Sequence, residues 1–409
     1  MYQRATLPNG LKIICESMPH VHSVSVGVWV GTGSRDENLK YNGISHLVEH
    51  LFFKGTANRS AKQIAEAIDA VGGQLNAFTT KEYTCYYVKV LSEQVHLGIE
   101  LLADMIANSL FAPEDIEKEK QVVLEEIKSF EDSPDELVHD LFAGAVLKEH
   151  PLGWPILGVP ESIARIDRRV IMEYLLQHYT ADNMVFAAAG NVQFDQIVTA
   201  VEKGFSKLSG GCKRILPPLT AYRPEKILKY KDTEQVHLCV GNRGLERKHA
   251  DRYAVFVLDS ILGGSVSSRL FQELREERGL VYVTCSNHSS FKDTGIFSIY
   301  AGTSLNNFDQ VLELVKREIK RCYEEPVAEM ELSRAKEQLK GNLLLSMESP
   351  FNRMCRIAKL ELYQDQLLTP EEAVAKVEAV AKEDVMRVAG EIFGKEDPVI
   401  LALGPFAAK

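Results

Sequence analysis

The stretch Gly43-Ile44-Ser45-His46-Leu47-Val48-Glu49-His50-Leu51-Phe52-Phe53-Lys54-Gly55 decides how the rest of the chain is read. His46 and His50 are four residues apart, so on a helix they stand on one face, a single turn apart. Glu49 flanks the same face. Two imidazoles at that spacing can share one metal ion, and a carboxylate beside them can polarise a metal-bound water without being a ligand. The order is the reverse of the commoner H-E-x-x-H. A helix fits locally: Leu47, Leu51 and Phe52 form an apolar stripe, and Ser45 is the expected N-cap. Two side chains do not close a catalytic metal site, so a third protein ligand is expected from elsewhere in the chain.

Outside this stretch, length and composition bound the answer. A chain of 409 residues fits two domains of about 200 residues each. Apolar residues at 45% and charged residues at 25% are those of a water-soluble globular protein. The net charge of −10, with no basic stripe to offset it, argues against a nucleic-acid partner and suits a cationic substrate. The seven cysteines (Cys15, Cys85, Cys212, Cys239, Cys285, Cys322 and Cys355) are scattered, odd in number and form no C-x-x-C pair. They read as reduced thiols rather than a disulfide framework or a cysteine zinc site. No basic-then-apolar leader opens the sequence and no apolar run reaches the length of a membrane span. The expectation is a cytoplasmic protein with no membrane partner.

Before the histidines, Ala5 to Glu16 reads as a hairpin around Pro8-Asn9-Gly10. Val24, Val26, Val28 and Val30 alternate with other residues, which predicts a strand with one buried face. After them, Ser60 to Gln63 is a capping box opening a helix that Gly72-Gly73 ends. Strands follow over 74–80 and 83–91, then an amphipathic helix over 95–110. Pro113 opens another helix, to about Phe130.

That last helix is where the third ligand is expected, and its periodicity narrows the choice. Ile116, Val123, Ile127 and Phe130 mark the apolar face. At about 100° per residue, Glu119 and Glu126 lie roughly 55° and 75° from its centre, whereas Glu125 lies roughly 175° away. Glu119 and Glu126 are therefore the carboxylates beside the packed face, and Glu125 the solvated one.

Later segments repeat the plan. Helices are expected over 134–148, 161–179 and 194–207, and a buried strand over 184–189. The Ser209 to Pro218 run, rich in glycine and proline, begins a linker. Beyond it, strands over 235–241, 281–287 and 295–302, and helices over 250–262, 267–277, 308–324 and 327–345, recapitulate the first half at an offset near 209 residues. This predicts a duplication: 1–208 a metal-binding catalytic domain, 209–223 a linker, and 224–409 a homologous domain. At that offset His46 and His50 fall on Val255 and Asp259, so the second half lacks the metal site and each chain carries one.

At this point the residues resemble a known family. The His46-Leu-Val-Glu-His50 helix, Glu126 seventy-six residues after His50, and the duplicated plan are similar to the pitrilysin and mitochondrial processing peptidase family of zinc metallopeptidases, the inverzincins, in its short two-domain branch. Gly72-Gly-Gln-Leu-Asn-Ala77 and Asn183-Met-Val-Phe-Ala-Ala-Ala-Gly-Asn191 look like further signatures, and the similarity covers the whole chain. The resemblance implies an α+β fold: two duplicated domains, each a mostly antiparallel sheet packed by helices, together half of a clamshell. It implies that His46, His50 and Glu126 bind one Zn2+ per chain, that Glu49 is the general base, and that Glu119 orients a histidine ligand. Asn76, Ala77, Phe78 and Thr79 would be an edge strand that takes the peptide substrate as an added strand. Arg275 and Tyr282, in Leu274-Arg-Glu-Glu-Arg-Gly-Leu-Val-Tyr282, match the family's arginine and tyrosine pair, which binds substrate carbonyls and the developing oxyanion.

Because the family sets that pair opposite the zinc, in the other half of the clamshell, the resemblance implies a homodimer whose sites are completed in trans. The expected function is a zinc-dependent endopeptidase hydrolysing unfolded oligopeptides or presequence-like peptides inside a closed chamber. Two other readings stand beside it: a catalytic chain that needs a different noncatalytic partner, and a noncatalytic structural core subunit of the same fold. A His2Glu set suits zinc best, though manganese, cobalt or iron also fit it.

Overall fold

The computed structural model describes residues 2–211, 214 and 216–407. Of the expected linker, Cys212, Lys213 and Ile215 lie outside the described residues. Packing divides the chain into two units. The first gathers residues 1–128, 154–217 and 346–367, and the second residues 129–153, 218–345 and 368–409.

The first unit is built on a six-stranded sheet. Its strands are β1 (Tyr2–Thr6), β2 (Lys12–Ser17), β3 (Ser23–Val30), β4 (Gln74–Thr79), β5 (Thr84–Leu91) and β6 (Met184–Gly190), in the order β1-β2-β6-β3-β5-β4. The Pro8-Asn9-Gly10 turn closes the β1–β2 hairpin, with Gly10 at φ 97°, a value that costs glycine nothing. Strand β2 runs parallel to β6 and the other neighbours are antiparallel. Strand β4 ends the order and pairs only with β5 among the described residues, in a register that sets Asn76 opposite Tyr87 and Thr79 opposite Thr84.

One face of the sheet carries the main core. Val24, Val26, Val28 and Val30 pack there with helix α1 (Ile44–Leu51), helix α2 (Ala61–Asp69), helix α3 (Val95–Asn108) and helix α4 (Pro113–Glu131). Ser60 caps α2 as its sequence predicts, its hydroxyl accepting from the Gln63 N–H while Gln63 accepts from the Ser60 N–H. The alternating valines suggest one buried face for β3, but both faces are covered. Trp29 is fully buried on the opposite side with Ile14, Cys85, Val185 and Ala187, under Met354, Ile357 and Ala358 of the helix Pro350–Leu362. A segment more than 300 residues away in sequence supplies that cover, which local alternation cannot foresee.

The second unit has a five-stranded sheet: β7 (Lys226–Tyr230), β8 (Val236–Gly244), β9 (Val281–Ser290), β10 (Gly295–Thr303) and β11 (Val399–Gly404), in the order β7-β11-β8-β10-β9. This is the order of β2-β6-β3-β5-β4, including the parallel first pair. Helices Arg252–Leu262, Phe308–Glu324 and Lys382–Phe393 cover one face. Helix α5 (Pro134–Val146) covers the other, through Val138, Phe142 and Val146 against Val399, Leu401 and Leu403. The helix expected over 267–277 is present but more widely wound at Phe271–Glu276, where the Glu277 N–H reaches the Gln272 carbonyl five residues back. No helix among the described residues is long and apolar enough to cross a membrane, and the six described cysteines are free thiols.

Candidate metal centre

Helix α1 begins at Gly43, not at Ser45. Gly43 is the N-cap with φ 94°, and a Cβ there would sit 2.6 Å from the Leu157 carbonyl oxygen, so only glycine fits. The capping carboxylate comes from outside the helix. Glu37 accepts from the Gly43 N–H at 2.8 Å, the Ser45 N–H at 2.8 Å and Asn42 Nδ2 at 2.7 Å. Its buried carboxyl sits at a helix N-terminus, where the helix dipole favours negative charge, while burial pushes it up to about 7. The Ser45 hydroxyl also lies 2.8 Å from the Tyr174 hydroxyl. Leu47, Val48 and Leu51 are buried beneath the helix, which fixes the opposite side, bearing His46, Glu49 and His50, in a half-buried position.

Two of the three glutamates considered on α4 converge on those histidines. Glu126 Oε2 lies 3.8 Å from His46 Nε2 and 3.7 Å from His50 Nε2. Glu119 is buried; one of its oxygens takes the His50 Nδ1–H at 3.2 Å and the other meets Lys54 Nζ at 2.7 Å. That bond fixes the imidazole with its Nε2 toward Glu126. Glu125 is exposed and paired with Lys128. On the other flank, Thr79 Oγ1 donates to Glu49 Oε2 at 2.5 Å. Burial raises the Glu49 carboxyl above its ordinary value, and the Thr79 hydrogen bond pulls it back down in part.

The arrangement fits a metal ion better than it fits a hydrogen-bonded cluster. Glu126 Oε2 is buried and has no hydrogen-bond partner, although it points at two imidazole nitrogens. Distances of 3.7 and 3.8 Å are too long for hydrogen bonds and close to the roughly 3.3 Å edge of a tetrahedron with bonds of about 2 Å. Burial, and the neighbouring His50, lower His46 to about 4, so its ring is neutral at neutral pH, with one ring nitrogen free to act as a ligand. Here His46, His50 and Glu126 surround a point that each could ligate with one atom.

Among the described residues a second histidine–carboxylate group exists in the other unit, at His249, Asp251 and Glu391. Two of its members are engaged otherwise: both Asp251 oxygens accept from Arg387, at 2.5 and 2.7 Å, and His249 Nδ1 accepts the Asp251 N–H.

Strand β4 runs beside α1. Phe78 packs into an aromatic group with Trp29, Tyr83 and Tyr87, while Leu75 and Ala77 pack toward the main core. Asn76 and Leu75 also line a cleft of about 460 Å³ with Phe53, Ile64 and Ile68. Arg275 and Tyr282 belong to the second unit. The Arg275 guanidinium lies 4.9 Å from the Tyr282 ring and 4.8 Å from that of Phe271, and Tyr282 is 71% exposed. Among the described residues Arg275 makes no ion pair.

Sequence reasoning passed over two groups that shape the centre. Lys54 follows His50 at a helical spacing of four, which in itself signals a shared face. Glu37 gave no signal, because a charged residue in a polar loop before a helix is ordinarily solvated.

The sequence matches the family model "Insulinase (Peptidase family M16)" over residues 12–159 and the model "Peptidase M16 inactive domain" over residues 165–339. It is 44% identical to a protein of Bacillus subtilis named uncharacterized zinc protease YmxG, over 99% of this chain and 98% of that one. A Streptomyces coelicolor protein, also named an uncharacterized zinc protease, is 40% identical over 100% of this chain and 90% of its own length. A crystal structure of a protease from Helicobacter pylori superposes with a TM-score of 0.92 at 23% identity, covering 98% of this chain and 99% of that one. At that identity the likeness speaks for the fold.

Proposed function

The chain belongs to the insulinase, or M16, family of peptidases, and on that premise we propose that it is a zinc-dependent endopeptidase of extended oligopeptides. The observation that carries the reading is the orphaned, buried Glu126 Oε2 aimed at the Nε2 atoms of His46 and His50. It is a ligand set of the His2Glu kind, with Glu49 beside it.

In this reading His46 Nε2, His50 Nε2 and a Glu126 oxygen hold the ion. Zinc, when bound, supplies Lewis-acid polarisation of a water and of the scissile carbonyl. Glu49 takes the proton of the attacking water and passes it to the leaving amine. Its partial burial supports this, because a carboxyl raised from its ordinary value is a better proton acceptor. Glu119 holds His50 in its ligating orientation. The peptide lies along β4 as an added antiparallel or parallel strand, held by backbone hydrogen bonds at Asn76, Ala77, Phe78 and Thr79. Such pairing admits unfolded chains and reads side chains only loosely. The net charge of −10 favours basic peptides among them.

Arg275 and Tyr282 are proposed to bind substrate carbonyls and the oxyanion in the site of a second copy of the chain, as the family resemblance suggests. Within this chain the reading is supported by the exposed Tyr282 ring and by the Arg275 guanidinium stacked beside it at 4.9 Å. The test is direct. Purified chain loaded with zinc is assayed on a quenched fluorescent oligopeptide, before and after removal of the metal with a chelator, and its mass in solution is measured. Metal-dependent cleavage at internal bonds by a dimer is the expected result. Metal-loaded chain that cuts no peptide contradicts the peptidase reading, and an active monomer contradicts the trans arrangement.

A further inference from the structure

We propose that Thr79 is a positioning residue for the catalytic base: its hydroxyl fixes the Glu49 carboxylate from the same strand that holds the substrate. The proposal rests on the reading of Glu49 as general base.

The geometry begins with the pleat. Side chains alternate along a strand, so Leu75, Ala77 and Thr79 share the face of β4 that looks toward α1, while Phe78 points to the other side. Phe78 is wedged there among Trp29, Tyr83 and Tyr87, with ring centroids 5.7, 6.2 and 6.1 Å away. The end of the strand is fixed as well. Thr79 pairs with Thr84, and in the turn the Thr80 N–H and hydroxyl both donate to the Tyr83 carbonyl at 2.9 Å. The backbone that carries Thr79 is therefore held at both faces and at its turn, and its hydroxyl is delivered to Glu49 Oε2 at 2.5 Å.

The chemistry of that contact is specific. An ionised carboxylate only accepts hydrogen bonds, and a hydroxyl has a single proton to give. Thr79 gives it to Oε2, which leaves Oε1 to receive a proton from elsewhere. A glutamate side chain has three torsions to fix, and a free one spends much of its time out of reach. Holding it within a few tenths of an ångström of the productive pose is the kind of positioning whose loss costs about 100-fold when a reacting group shifts by about 1 Å. Because Thr79 also ends the strand proposed to pair with the peptide, one rigid element sets both the base and the bond to be cut. A merely structural threonine would be expected to affect folding or peptide binding instead.

Two substitutions separate these roles. Thr79→Val keeps the branched shape and suits a strand but has no proton to donate. Thr79→Ser keeps the hydroxyl and loses the methyl. Wild type, Thr79→Val, Thr79→Ser and Glu49→Gln are each assayed for kcat and KM on one fluorescent oligopeptide, with metal per chain measured in all four. Binding of the same peptide to Glu49→Gln and to the double variant Thr79→Val/Glu49→Gln is followed by anisotropy. The expected result is a loss of about 100-fold in kcat for Thr79→Val, with KM within about twofold and metal content unchanged. Thr79→Ser recovers to within about fivefold of wild type, and peptide binding is the same with and without the hydroxyl. The proposal is overturned if Thr79→Val keeps its kcat, if the loss lies in KM or in peptide binding, or if Thr79→Ser falls as far as Thr79→Val. Failure of the underlying reading looks different: wild type and Glu49→Gln then behave alike, and a group that transfers no proton needs no positioning.

Discussion

His50 Nδ1 lies 3.2 Å from a carboxylate oxygen of Glu119, whose other oxygen lies 2.7 Å from Lys54 Nζ. The three groups form a chain of contacts in which Lys54 anchors Glu119 and Glu119 keeps His50 turned toward Glu126. Removing the middle of such a chain typically costs 10- to 100-fold in metal affinity. Glu119→Ala should therefore weaken zinc binding by about that factor, measured by competition with a chromophoric chelator. Lys54→Met should weaken it by a smaller factor, since the hydrogen bond survives its loss. Unchanged affinity in Glu119→Ala would show that the ring is oriented by something else.

The two neighbouring glutamates of α4 should behave as opposites. Glu126→Ala removes a carboxylate that faces both imidazoles, and the purified variant should carry little or no metal. Glu125→Ala removes an exposed partner of Lys128 and should retain metal, with stability within about 0.5 kcal/mol of wild type. Metal analysis of the two proteins side by side checks this. Equal metal content in both would rule out Glu126 as a required ligand.

Acid should weaken the second unit through His288. Its Nε2 accepts the Leu245 N–H at 3.1 Å, its Nδ1 is buried without a partner, and burial lowers the ring from 6.5 to about 4. As pH falls from about 6.5 to about 4, the unfolded chain takes up a proton that the folded chain refuses. Stability present above 6.5 is lost over that window, by up to roughly 3 kcal/mol. Urea denaturation at pH 7 and pH 4.5 should show a smaller acid loss in His288→Gln, whose amide oxygen can still accept from Leu245. Equal losses in the two proteins would contradict the assignment.

Phe142 links sequence position to packing in an unexpected way. It precedes the linker in the chain, yet it is buried against β11 in the second unit. Phe142→Ala should cost about 3–5 kcal/mol and should raise hydrogen exchange in β8 and β11 before β2 and β6. Earlier exchange in β2 and β6 would assign the helix to the wrong sheet.

What was legible in the sequence follows from what is local. Period 3.6 distinguishes Glu125 from Glu119 and Glu126 on α4, and brings His46 and His50 to one face of α1. Turn chemistry marks the β1–β2 hairpin, and the box at Ser60 marks the start of α2. What was hidden depends on distant partners. Ser45 looks like a cap because its type suits one, but Glu37 folds over the helix end and takes that role. The alternation in β3 shows one apolar face, because Trp29 counts as a single residue until Met354 and Ile357 arrive above it. The contact of Thr79 with Glu49 joins a strand to a helix thirty residues earlier, and nothing in either segment announces it. Residues 267–277 have a helical composition and do form a helix, though its wider winding at Phe271–Glu276 is not marked by the periodicity.

In the proposed mechanism Glu49 transfers a proton beside a metal held by His46, His50 and Glu126. Cleavage of a quenched fluorescent oligopeptide by wild type and by Glu49→Gln, with metal measured in both, tests it most directly. Both proteins should hold the same amount of metal, and Glu49→Gln should lose about two to four orders of magnitude in kcat. Comparable cleavage by the two proteins at equal metal content would contradict it.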